Sequence, residues 1–162
     1  MSGAKFHEAI TGLISEQLAA GETLRFQVTS SSMAPLLKIG DAVVCEGVAS
    51  PETFQIGDIL VIQRASDFLT HRLIRKSGHR YQTKGDNTLR PDPPVSADAI
   101  LGRVIRVRHS ERSLNLQTGR QQKVASALAK ISALEWQAFN INSGLRLPFR
   151  LIVKALQQIA IL

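Results

Sequence analysis

Residues 57–62 read Gly57-Asp58-Ile59-Leu60-Val61-Ile62, a turn pair followed at once by a short, wholly apolar, β-favouring run. The same grammar occurs at Gly40-Asp41 before Ala42-Val43-Val44-Cys45. It is mirrored where Gly85-Asp86 follows Arg80-Tyr81-Gln82-Thr83-Lys84. A Gly-Asp pair beside an apolar run suits a tight turn whose glycine takes a positive φ. Further β-favouring runs lie at 24–28, 69–74 and 100–107, and Ser77-Gly78 separates two of the runs as a hairpin turn would. Residues 90–94, Arg-Pro-Asp-Pro-Pro, cannot form a central strand, because proline donates no ladder hydrogen bond. The spacing predicts a compact β domain over residues 22–110.

Outside that domain the period changes. Phe6, Ile10, Leu13, Ile14 and Leu18 recur at helical spacing and Gly21 suits a left-handed C-terminal cap, which predicts an amphipathic helix over about 4–20, within a segment 1–21. In residues 111–162, Val124, Leu128, Ile131, Leu134 and Phe139 give one helical face. Phe149, Ile152, Val153, Leu156 and Ile159 give another, with Pro148 suited to its first turn. The expected fold is mainly β, with an N-terminal amphipathic helix and a C-terminal helical extension.

The chain has 162 residues, of which 44% are apolar and 20% charged, enough to build a core and unlike a disordered composition. Aromatic residues are only 5%, which counts against nucleic acid as a partner bound on a base-stacking platform. The single cysteine, Cys45, excludes an internal disulfide and a Cys-rich zinc site, and reads as a buried small hydrophobe. Nothing in the pattern calls for a metal or a cofactor. The net charge of +7 is uneven: residues 1–102 hold 10 basic and 11 acidic side chains, and residues 103–162 hold 10 basic and 2 acidic. Such a basic end suits an anionic partner, or a solvated helical tail. No segment approaches the ~20 apolar residues of a membrane span, and Glu8 and Glu16 interrupt any signal-peptide reading. The expected location is the cytosol, with a peripheral place on the inner membrane face as the alternative, through the basic C-terminal helices.

Three clusters carry side chains suited to chemistry: Ser30-Ser31-Ser32-Met33-Ala34-Pro35 after the first strand, Thr70-His71-Arg72 inside a strand, and Thr83-Lys84-Gly85-Asp86-Asn87 with Asp92 in the proline loop. A serine hydroxyl is a poor nucleophile until a neighbouring base takes its proton. Imidazole suits that task because it titrates near neutrality, and a carboxylate can fix its tautomer.

In this order the clusters resemble the signal peptidase family of serine endopeptidases and the related self-cleaving repressor proteases. The similar branch is the one that uses histidine where the main bacterial branch uses lysine. The family pattern S-G-S-M-x-P, two G-D turns, H-R, K-G-D-N and a further Asp falls here at 30–35, Gly40-Asp41, Gly57-Asp58, His71-Arg72, 84–87 and Asp92, with a closing strand near Gly102. The resemblance covers about residues 26–106 and implies a β-ribbon barrel. It implies Ser32 as nucleophile, His71 as general base, Asp92 as the catalytic aspartate and Asp86 as a second aspartate that structures the site; the residues alone do not decide which of the two touches His71. It also implies that Ser30, flanked by Ser31, helps the Ser32 N–H hold an oxyanion, while Met33 packs beneath the nucleophile. The implied substrate is an extended peptide or protein segment with small residues before the cut.

Two departures stand out. Ser31 replaces the family's usual glycine, and an amphipathic helix stands where the family carries a membrane anchor. Removal of a leader from a small precursor peptide therefore fits better than general export. The alternatives are a self-cleaving regulator, for which the segment before Ser32 is too short to hold a DNA-binding domain, and an inactive module binding membrane or nucleic acid through its basic tail. His7, His79 and His109 lie outside every box and read as surface residues. Lys84 and Lys38 are weaker candidates for a base.

Overall fold

The computed structural model describes residues 3–64, 67–110, 112–141, 151–152, 154–155 and 158. Helix α1 spans Gly3–Ala19. Strands β1 (Thr23–Gln27), β2 (Ala42–Glu46), β3 (Ile59–Gln63), β4 (Phe68–Ser77), β5 (Arg80–Lys84), β6 (Ile100–His109) and β7 (Arg112–Asn115) follow, and then helix α2 (Gly119–Ile141). Every strand pairing is antiparallel, in the order β1-β2-β6-β3-β4-β5. Long β6 is the spine. One of its edges carries β2, and the other carries β3 against residues 100–103 and β7 against residues 106–109. The sheet does not close into a barrel.

All six expected β runs are strands. In β3 alternate residues enter different cores: Ile59 and Val61 join Val43, Cys45, Val104 and Val107, while Leu60 and Ile62 join Phe54, Leu73 and Tyr81. Burying each such side chain stabilises the fold by about 1.5–3 kcal/mol. Irregularities at Val44/Cys45, Val61/Ile62 and Leu73/Arg75 curl the sheet, so that Phe26 of β1 meets Phe68 of β4 with ring centroids 6.4 Å apart.

Gly40 and Gly57 take φ of +92° and +107°, as the turn reading requires, but Gly85 does not take a positive φ. The proline loop stays outside the sheet apart from one bridge, Tyr81 to Val95. The sheet also extends past the expected limit of 110, because residues 112–115 fold back on β6 as β7.

Among the described side chains, helix α1 buries its expected face except at one residue, whereas α2 buries a different set from the expected stripe. In α1, Leu18 and Thr11 are buried and Ile10 and Ile14 half-buried, whereas Leu13 is 61% exposed. In α2 the buried side chains are Gln121, Leu128, Ala129, Ser132 and Glu135, and Leu134 is exposed. The apolar stripe misplaces the face of α2 because buried Lys84 needs polar partners, and Ser132 and Glu135 supply them. The side chain of Phe139 and most of the second C-terminal helix, with Phe149, Val153, Leu156 and Ile159, lie outside the described residues. Among the described residues no helix is long and apolar enough to cross a membrane.

Candidate active site

The segment after β1 turns sharply. Val28 still exchanges backbone hydrogen bonds with the Gly40-Asp41 turn, and residues 31–37 then coil, with Ala34 N–H donating to the Ser31 carbonyl and Leu37 N–H to that of Met33. Met33, Leu36 and Leu37 are buried and anchor the coil to the core, which leaves Ser32 at its rim. Met33 also accepts the Asp86 N–H on its Sδ at 3.4 Å.

Opposite stands β4, a strand bonded to β3 along its first half. Its period places His71, 4% exposed, opposite Leu60. The Ser32 Oγ lies 3.0 Å from His71 Nε2, and the Asp92 Oδ2 lies 2.7 Å from His71 Nδ1. Residues from three separate segments thus form one continuous hydrogen-bonded line. Asp92 is itself fixed: its N–H donates to the Thr83 carbonyl, and the Thr83 hydroxyl donates to its Oδ2 at 2.8 Å. Burial alone would raise the Asp92 carboxyl. The His71 hydrogen bond and charge, the Thr83 hydroxyl and the Arg64 guanidinium outweigh that and hold it below the ordinary aspartate value. An ionised carboxylate only accepts hydrogen bonds. In neutral His71, Nδ1 therefore carries the proton and Nε2 offers its lone pair to the Ser32 hydroxyl.

Asp86 is not part of this line. Its two oxygens take Arg72 Nε at 2.8 Å and Nη2 at 2.6 Å, and Arg72 donates further to the Gly57 carbonyl. Of the two aspartates left open by the sequence, Asp92 touches His71, and Asp86 neutralises a buried arginine. Lys84 is fully buried in an ion pair with Glu135 and a hydrogen bond to Ser132, not directed at Ser32. Gly85 between them leaves no room for a side chain: a Cβ there would lie 2.7 Å from the Ser32 carbonyl oxygen and 2.9 Å from His71 Nε2. Asn87 clasps the serine turn from the same side, through its N–H to the Ser32 carbonyl at 2.7 Å and its Nδ2 to the Ser31 carbonyl at 3.2 Å.

The Ser30 Oγ is 3.2 Å from the Ser32 Oγ, close enough for a second donor to reach an oxygen held beside the nucleophile. A cleft of about 370 Å³ runs from these serines between residues 26–30 and 67–70, with Met33, Leu37, Val43 and Val61 in its lining. Both flanks offer backbone. β1 is an edge strand, and β5 joins β4 only from Arg72 onward, so no described strand lies outside Leu69 and Thr70.

Of the other histidines, His109 is not a surface residue. It is half-buried, with Nδ1 2.8 Å from Asp41 Oδ2. Cys45 is fully buried, and burial, helped by the Glu46 carboxylate, pushes its thiol up to about 12. Among the described residues no group of three or more His, Cys, Asp and Glu side chains is placed to hold a metal ion. Thr83 and Arg64 are the contributors that pattern reading gives no role. Thr83 stands in the third cluster of the sequence reading but with no role assigned to it, and Arg64 carries no local signal at all.

No family model matches the chain, and no curated protein matches it either.

Proposed function

We propose that the chain is a serine endopeptidase of signal-peptidase type, cleaving a leader or precursor peptide through Ser32, His71 and Asp92. The observation that carries this reading is the line Asp92 Oδ2, His71 Nδ1, His71 Nε2, Ser32 Oγ, with contacts of 2.7 and 3.0 Å assembled across 21 and 39 residues of sequence respectively. In this reading His71 Nε2 takes the Ser32 proton as Oγ attacks the peptide carbonyl. The Ser32 N–H and the Ser30 hydroxyl hold the resulting oxyanion. His71 then returns the proton to the leaving amine as the C–N bond breaks, and water, deprotonated by the same imidazole, hydrolyses the acyl-serine. Asp92 keeps its charge throughout and stabilises the imidazolium.

The open sheet supports the substrate class. A peptide in extended form fits the cleft between β1 and the start of β4, taking backbone hydrogen bonds from both flanks and completing the curled sheet toward the barrel that the family resemblance implies. Phe26 and Phe68 narrow the cleft, which favours small side chains in the residues before the cut. The basic C-terminal segment is read as a peripheral contact for an anionic membrane face.

A fluorophosphonate probe tests the proposal. It should label the wild-type chain at Ser32, and labelling should vanish in Ser32→Ala and in His71→Ala while near-UV circular dichroism stays native. Equal labelling in His71→Ala overturns the assignment of the base, and absence of labelling in the wild type overturns the peptidase.

A further inference from the structure

Asp92 receives donors from three segments. Its Oδ2 takes His71 of β4 and Thr83 of β5. Its Oδ1 takes Arg64 Nη2 at 3.3 Å, from the residue that follows β3. The exposures differ in a telling way: the Asp92 side chain is 14% exposed and that of Arg64 46%. An inner pair of donors is therefore buried, and an outer cation closes the carboxylate from the solvent side. The Arg64 backbone is also tied to the cleft wall, since its N–H donates to the Asp67 carbonyl at 2.8 Å and residues 67–70 line the cleft.

We propose that Arg64 is a positioning residue that holds the plane of the Asp92 carboxylate against the His71 ring, with its own backbone tied to Asp67 beside the peptide cleft. This inference rests on the peptidase reading of the site. A carboxylate bonded on one oxygen alone can swing about its Cβ–Cγ bond. Bonded on both, it presents Oδ2 to Nδ1 in one direction, and the imidazole then aims Nε2 at Ser32.

The charge has a second consequence. A cation beside Asp92 draws on the same negative charge that stabilises imidazolium at His71, so removing it lets His71 hold its proton to higher pH. The other groups near the line do not substitute for it. Thr83 is neutral, Gln82 bonds only the Asp92 main-chain carbonyl, and Asp86 is neutralised by Arg72.

The test compares wild type, Arg64→Gln and Arg64→Lys by two readouts: the pH profile of fluorophosphonate labelling, and the titration of the His71 ring followed by NMR. In Arg64→Gln the acid limb and the ring titration should move up by about half a pH unit, the size expected for a partly exposed cation. Arg64→Lys should restore most of the shift. Salt near 1 M, which shortens the screening length to about 3 Å, should move the wild type toward the glutamine variant and leave that variant unchanged. Coincident profiles in the three proteins overturn the proposal. Labelling with an unmoved limb defeats the role of Arg64 alone. A shifted ring titration in a protein that never labels defeats the peptidase reading and leaves the positioning role standing.

Discussion

Among the described residues, two histidine–aspartate pairs have nearly the same geometry. His71 Nδ1 stands 2.7 Å from Asp92, and His109 Nδ1 stands 2.8 Å from Asp41. Both carboxylates are largely buried, with side chains 14% and 10% exposed. The difference lies at the other ring nitrogen. His71 Nε2 faces the Ser32 hydroxyl at 3.0 Å, while His109 Nε2 is buried with no partner among the described residues. The aspartates differ too. Asp41 also accepts the Lys38 N–H at 2.6 Å and so closes its own turn, whereas Asp92 is held by side chains of other segments. A His–Asp pair is thus an ordinary way to satisfy a carboxylate, and it becomes a candidate for catalysis only when the second nitrogen meets a group worth deprotonating.

That contrast is broken most easily by deleting each ring in turn. His71→Ala should reduce peptide cleavage or probe labelling by about 10⁴-fold or more, the scale seen when one member of such a unit is removed. His109→Ala should leave the rate within about twofold, since nothing beyond its ring is positioned to react. Comparable losses in both variants, each folded by circular dichroism, would mean that geometry at Nε2 does not separate the pairs.

Changing the carboxylates sharpens the same comparison. Asp92→Asn keeps the shape of the side chain but can turn a donor toward Nδ1, which favours the tautomer with its proton on Nε2 and removes the lone pair facing Ser32. A fall in rate of about 10³- to 10⁴-fold is expected. Asp41→Asn should spare the rate and lower stability instead, by about 1–2 kcal/mol in urea unfolding, because a charged acceptor is lost from two donors. A rate loss at Asp41 matching that at Asp92 would remove the distinction.

The Gly-Asp pairs explain what was legible in the sequence. In the first two, the aspartate accepts the N–H three residues back, Lys38 for Asp41 and Gln55 for Asp58, and the preceding glycine takes a positive φ. That conformation is local, so the dipeptide beside its strand is enough to recognise it. The third pair has the same letters and a different cause. Gly85 is required by the close approach of Ser32 and His71, and Asp86 by Arg72 across the hairpin. Both reasons are non-local and leave no trace in neighbouring residues. The same division runs through the rest of the molecule. Strand positions and the order of Ser32, His71 and Asp92 can be read from short patterns. The choice between Asp86 and Asp92, the inward face of α2 and the place of Arg64 depend on which buried charge finds which partner, and hydrophobic periodicity does not encode that.

Acid stability offers a smaller and finer test of the Asp92 arm of the comparison. Its carboxyl in the folded chain lies below the reference value of 3.8. Between the folded value and 3.8, the unfolded chain holds the proton more readily than the folded one, so acidification drives the equilibrium toward unfolding. The contribution of Asp92 is therefore complete above the ordinary aspartate range and is lost as pH falls through the folded value. Asp92→Asn removes that titration while every other carboxylate remains. The stability gap between wild type and Asp92→Asn, read from urea midpoints, should narrow as pH is lowered from about 5 to about 3. Parallel midpoints across that range would show that His71, Thr83 and Arg64 do not favour the charged carboxylate. With that charge unsupported, the neutral His71 tautomer that aims a lone pair at Ser32 would lose its physical cause.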